Sequence, residues 1–123
     1  MKMERKLPPK FLAAMVAVMP LPGSPLYDGD DQKVLDHALA DVEVYRKADV
    51  DSILFENDHD LPYIQPPLDE KGIALMTKIV KEARSRFEKP IGIQMLEAAN
   101  ITSLEIAAEA DLDYIRVEAF VFA

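Results

Sequence analysis

The chain has 123 residues, of which 50% are hydrophobic and 29% charged, with a formal net charge of −8 and no cysteine. That length holds one small domain with a true core. The acidic balance argues against nucleic acid and anionic membrane surfaces, and the lack of thiols excludes disulfides, thiolate catalysis and thiolate metal sites.

Lys2, Arg5, Lys6 and Lys10 precede the apolar run Phe11–Met19, an order that resembles a secretory signal. Pro8 and Pro9 interrupt the basic part, and no small-x-small cleavage site follows. The run is also about half the ~20 residues of a membrane span. It therefore reads as a first buried strand, in a cytoplasmic protein with no integral membrane segment. Pro20-Leu21-Pro22-Gly23-Ser24-Pro25 ends that strand as a stiff loop.

Asp30 or Asp31 caps the next helix, with Val34, Leu35, Ala38, Leu39, Val42 and Tyr45 on its apolar face. His37 falls on the polar face. Ile53–Glu56 is the second strand. Pro66 and Pro67 lead into a second helix capped by Asp69, with Ile73, Met76, Val80, Ala83 and Phe87 as a stripe. Ile91–Leu96 is the third strand. Thr102 and Glu105 have capping-box spacing for a third helix that buries Leu104, Ala107 and Ala108. Tyr114–Val117 is the fourth strand.

A weak repeat runs through this order. Ala48-Asp49-Val50-Asp51-Ser52-Ile53 returns 62 residues later as Ala110-Asp111-Leu112-Asp113-Tyr114-Ile115. That interval is two helix–strand units of ~30 residues each. Strands alternating with amphipathic helices predict an α/β fold with a parallel sheet in the order 1-2-3-4. Four such units are half of a (β/α)8 barrel, which takes ~250 residues. Residues 1–123 then form a single partial barrel domain, strands one to four.

The most site-like stretch is Asp51–Pro62. A short apolar strand there gives way to Glu56, Asn57, Asp58, His59 and Asp60. Five polar groups in succession pack poorly, and parallel sheets place their chemistry at the carboxyl ends of strands. Alternation along strands turns Glu56 to the same face as Leu54, Gln94 to that of Gly92, and Arg116 to that of Tyr114 and Glu118. Glu56, Gln94, Arg116 and Glu118 should converge. Arg116 can hold an anion, and Glu56 can act as acid, base or cation ligand. The bland alternative is a buried ion pair that only neutralises itself, for which Arg116→Met would cost ~3–5 kcal/mol. Asp58-His59-Asp60 with Glu56 offers oxygen ligands suited to a hard divalent cation. Consecutive residues rarely aim at one centre, so no metal site is assigned. Gly23 offers backbone donors without a phosphate-binding fingerprint, and the cofactor is left open.

These residues resemble the BtpA family, which includes SgcQ-like proteins, over about Met15 to Val117 and only the first half of a member. Met15-Val16 with Pro20–Pro25 is similar to its opening strand and proline loop. Asp51, Glu56-Asn57, Asp60 and Pro62 are similar to its acidic signature. Pro90-Ile91-Gly92 with Leu96, and Ile115-Arg116-Val117, are similar to its third and fourth strands. The resemblance implies a TIM-type barrel, a link to photosystem I biogenesis in photosynthetic bacteria, and an undefined enzymatic role elsewhere. It adds Asn57 and Asp60 to Gln94 and Glu118 as ligand-binding positions, with Glu56 and Arg116 as the catalytic pair. Departures are Ala17 for the family's His, Gln94 and Glu118 for Asn, Ala98-Ala99 for Asn-Asp, and Asp49 and Asp111 for glycines. Three roles follow: an enzyme or enzyme relative acting on a small polar metabolite, a non-catalytic assembly factor, or a truncated inactive fragment.

A half barrel has two open edges and an open inner face, to which Phe120, Val121 and Phe122 add apolar surface. The expected remedy is a homo-oligomer pairing strands one and four across copies, or a complementary half-barrel chain.

Overall fold

The computed structural model describes residues 5–60, 68–96 and 99–117. In order these form β1 (Ala13–Ala17), α1 (Asp31–Lys47), β2 (Ser52–Glu56), α2 (Glu70–Arg86), β3 (Ile91–Gln94), α3 (Asn100–Ala110) and β4 (Tyr114–Ile115). All strand pairings are parallel and the sheet order is β1-β2-β3-β4, the arrangement of half a TIM-type barrel. β1, β3 and β4 are shorter than the strands expected from the sequence, while β2 begins one residue earlier, at Ser52. Pro20 and Leu21 turn the chain out after β1, although Val18 still donates to the Glu56 carbonyl at 2.9 Å.

The helix-facing side of the sheet is the core. Val16, Ile53, Phe55, Ile91 and Ile93 are fully buried there. They pack with Val34, Ala38 and Val42 of α1 and with Met76, Ile79, Val80 and Ala83 of α2. Each such side chain contributes roughly 1.5–3 kcal/mol by leaving water.

The helix starts follow local chemistry. Asp30 accepts from the Lys33 N–H at 3.0 Å, and Asp69 accepts from the N–H groups of Lys71 and Gly72. The third helix departs from expectation. It begins at Asn100 after Ala99, with no side-chain cap, so Thr102 and Glu105 lie inside it and form no box. Its buried residues are Ser103, Ile106, Ala107 and Ala110, while Leu104 is 59% exposed. Ser103 explains the rotation. Its hydroxyl accepts from the Met95 N–H and donates to the Ala99 carbonyl, both at 2.9 Å, which requires that side chain to face the sheet. Leu104 and Ala108, one position on, turn outward.

The repeat has a structural meaning. Asp49 and Asp111 both end a helix in the left-handed region, with φ of 56° and 58°. Two residues later, Asp51 accepts from the Leu12 N–H and Asp113 from the Ile91 N–H, each at 2.8 Å. Both aspartates thus clamp the start of the preceding strand. Ser52 and Tyr114, the next equivalent pair, share a hydrogen bond of 2.6 Å across the inner face. A Cβ on Gly92 would meet the Tyr114 ring at 2.2 Å, so the ring lies directly on that glycine.

The left-handed Asp49 gives a first prediction. Its pair with Lys89 is exposed, with Asp49 at 86%, and such pairs are weak. Asp49→Gly relieves backbone strain and is expected to stabilise by on the order of 0.5–1 kcal/mol. Thermal unfolding checks it. A lower Tm would mean that the Lys89 pair outweighs the strain.

The inner face is less open than a bare half barrel suggests. Leu54, Glu56 and Gln94 on the central strands are buried, whereas Met15 at one edge and Arg116 beyond β4 are exposed. Residues 118–123, including Phe120, Val121 and Phe122, lie outside the described residues.

Candidate functional site

The carboxyl ends of β2 and β3 place Glu56 opposite Gln94 in register. Arg116 follows β4 directly, on the same face as Tyr114. Its guanidinium NH1 donates to Glu56 Oε1 at 2.9 Å. The expected convergence of Glu56, Gln94 and Arg116 is therefore present, while Glu118 lies outside the described residues.

The pair is asymmetric. The Glu56 side chain is 11% exposed and that of Arg116 is 59% exposed. Burial of both charges, the premise for a loss of several kcal/mol, does not hold, because water screens the guanidinium. Arg116→Met is instead expected to cost about 1 kcal/mol or less. A double-mutant cycle with Glu56→Gln in urea measures the coupling. A loss above 3 kcal/mol would restore the buried-pair reading.

Asn57 and Asp60 stand apart from this pair and hold the loops together. Asn57 grips the chain after β3: its Oδ1 accepts from the Leu96 N–H at 2.6 Å and its Nδ2 donates to the Leu96 carbonyl at 3.0 Å. The same Nδ2 donates to Asp60 Oδ2 at 3.1 Å, and Asp60 Oδ1 accepts from the Leu21 N–H at 2.7 Å. One amide and one carboxylate thus join the proline loop to the ends of β2 and β3. The proline loop also sits tight on α2, where a Cβ on Gly72 would meet the Pro22 carbonyl oxygen at 2.6 Å. Between them is a cavity of about 30 Å³, lined in part by Leu21, Asn57, Asp60, Asp69 and Leu96, with room for one water.

Burial raises the Asp60 carboxyl above the ordinary range, against the opposing pull of the Leu21 N–H and the Asn57 amide. A raised carboxyl binds its proton more readily folded than unfolded. Its contribution to stability is therefore complete at low pH and is lost as pH rises through the raised value. A carboxyl-carbon NMR titration is expected to place the Asp60 midpoint above that of a free aspartate. A midpoint at or below it would overturn this.

Among the described residues, no group of three or more His, Asp or Glu side chains is placed to hold a metal ion. Asp58 and His59 follow Asn57 in the loop, and His37 is exposed on α1. No helix among the described residues is long and apolar enough to cross a membrane.

Sequence reasoning missed the grip of Asn57 on Leu96 and the Ser52–Tyr114 bridge. The repeat held a signal for the second, because it aligns Ser52 with Tyr114. Nothing local marks the first, since Leu96 acts through its backbone.

The BtpA family profile matches residues 9–123. An uncharacterized protein of Pyrococcus abyssi is 37% identical over 108 residues, 88% of this chain and 41% of its own length. The photosystem I biogenesis protein BtpA of Synechocystis is 29% identical over 84% of this chain and 36% of its own. The putative sgc region protein SgcQ of Escherichia coli is 28% identical over 87% and 40%. The chain spans about two fifths of the length of these relatives.

Proposed function

This chain belongs to the BtpA family, and from that premise we propose that residues 1–123 supply strands one to four of a BtpA-like barrel and part of a cytoplasmic site for a small polar metabolite. The observation that carries the proposal is the Glu56–Arg116 contact at the carboxyl end of a parallel sheet. An exposed guanidinium beside a buried carboxylate suits an anionic substrate group. Arg116 orients that group, and Glu56, released from the pair as the anion takes its place, serves as acid, base or cation ligand. Gln94 adds an amide beside Glu56, and Asn57 and Asp60 set the rim.

The Synechocystis relative's name describes photosystem I biogenesis, and a non-catalytic assembly role is the competing reading. A titration of the folded chain with small carboxylates and phosphate monoesters separates the two. The signals watched are the Glu56 carboxyl carbon and the Arg116 guanidinium nitrogens. Saturable shifts at both, abolished in Arg116→Met, support the metabolite site. No shift with any compound, together with retention of a solubilised membrane complex, sinks it in favour of assembly.

A further inference from the structure

Resting on the metabolite site proposed above, we infer that Gln94 is its specificity-determining residue and selects a small carboxylate with a hydroxyl or ammonium group on the adjacent carbon. Among the described residues six polar side chains are buried: Ser52, Glu56, Asn57, Thr77, Gln94 and Ser103. Five of the six hydrogen-bond within the chain: Ser52 to Pro90 and Tyr114, Glu56 to Arg116, Asn57 to Leu96, Thr77 to Ile73 and Ser103 to Met95. Gln94 is 6% exposed, and its amide makes no such bond among the described residues. A buried amide without a partner is costly, because donor and acceptor have both given up water. A ligand that restores those bonds gains what the empty site lacks.

Position and chemistry together define that ligand. Gln94 lies opposite Glu56 in the β2–β3 register. On its other flank the Arg116 N–H donates to the Ile93 carbonyl at 3.0 Å, which sets Arg116 alongside Gln94. The Arg116 guanidinium reaches across β3 to Glu56 at 2.9 Å, so the amide lies between the two charged groups. The layer beneath has the same plan. There Tyr114 reaches across Gly92 to Ser52 at 2.6 Å, and the middle strand carries no side chain. In the upper layer the middle strand carries an amide that the bridge does not use. A primary amide presents a carbonyl oxygen and an N–H side by side. Its complement is a donor and an acceptor on neighbouring atoms, as in an α-hydroxy or α-amino carboxylate. One carboxylate oxygen accepts from Gln94 Nε2, the hydroxyl or ammonium donates to Oε1, and the other oxygen accepts from Arg116. A phosphate dianion offers acceptors alone and leaves Oε1 unpaired.

Titration of the folded chain with lactate, alanine, propionate and inorganic phosphate tests the inference, read at the Gln94 side-chain N–H signals and the Arg116 guanidinium nitrogens. The three carboxylates share one carbon frame and differ in the donor. Lactate or alanine is expected to shift the Gln94 signals and to bind at least about tenfold more tightly than propionate, the scale of one hydrogen bond to a buried partner. Gln94→Met should remove that preference. Equal affinities for the three carboxylates, with shifts at Arg116, overturn the role of Gln94 and leave the metabolite site standing. So does a preference that persists in Gln94→Met. Binding of phosphate and of none of the carboxylates overturns the ligand class. No binding of any of these compounds overturns both the role of Gln94 and the metabolite site. If Gln94→Met does not fold, the ratio of lactate or alanine to propionate on the native chain decides by itself.

Discussion

Asp113→Ala is expected to destabilise the fold by about 1.5–3 kcal/mol, the scale for losing hydrogen bonds to a charged group. Three donors converge on this carboxylate. Arg5 Nε reaches Oδ1, while Arg84 NH1 and the Ile91 N–H reach Oδ2, each at 2.8 Å. The Arg5 and Arg84 side chains are only 13% and 12% exposed. Burial lowers the Arg84 guanidinium from its usual range, and Asp113 is the chief influence opposing that. Removing the carboxylate takes the acceptor from the first N–H of β3 and the one carboxylate that Arg84 pairs with among the described residues, while Arg5 keeps the Asp111 carboxylate at 3.2 Å. Arg84 also donates to the carbonyls of Phe87 and Lys89, each at 2.7 Å, so a shift of its side chain loosens the turn into β3. The equivalent Asp51→Ala removes the clamp on Leu12 alone and should cost about 1 kcal/mol. Urea unfolding with unchanged m value measures both. Similar losses at the two sites would show that the arginines add nothing, and the network account would fail.

Gly92→Ala is expected to cost about 1–3 kcal/mol by overpacking. The added Cβ would lie 2.2 Å from the Tyr114 ring, and three ring atoms fall within 2.6 Å. The ring cannot simply swing away, because its hydroxyl is bound to Ser52 and Ser52 is tied to the Pro90 carbonyl at 2.8 Å. Arg116 is two residues further along the same face, so displacement of Tyr114 should also weaken the Glu56 contact. Gly92→Ala combined with Tyr114→Ala should recover part of the loss, giving a favourable coupling energy. Thermal unfolding of the three variants provides the measurement. A neutral Gly92→Ala would mean that the ring does not rest on this strand in solution.

Both residues show how tertiary structure converts ordinary sequence into constraint. Asp113 belongs to a repeat visible in the chain, yet its partners Arg5 and Arg84 are 108 and 29 residues away. Gly92 reads as a weak position in a strand until Tyr114 is placed above it. The third helix makes the same point in reverse. Thr102 and Glu105 satisfy the spacing of a capping box, but the bond from Met95 to Ser103 rotates the helix and begins it earlier. A local cap worth about 1 kcal/mol yields to a buried hydrogen bond and the packing of Ile106.

By itself the sequence determined the alternation of strand and helix, the parallel order of the sheet, the cap at Asp69, a first cap at Asp30 or Asp31, and the face to which Glu56, Gln94 and Arg116 turn. These are legible because they follow from short-range periodicity: side chains alternate along a strand and recur every three to four residues on a helix. Only the tertiary structure decided which polar groups meet the Arg116 guanidinium and which hold the loops. Glu56 and Asn57 are adjacent and both polar, yet one meets Arg116 and the other grips the Leu96 backbone. It also decided how exposed Arg116 is, and hence how weakly its pair stabilises the fold. The physical reason is common to all three. Burial, screening and hydrogen-bond choice depend on residues 39 or 60 positions away, and local pattern carries no record of those distances.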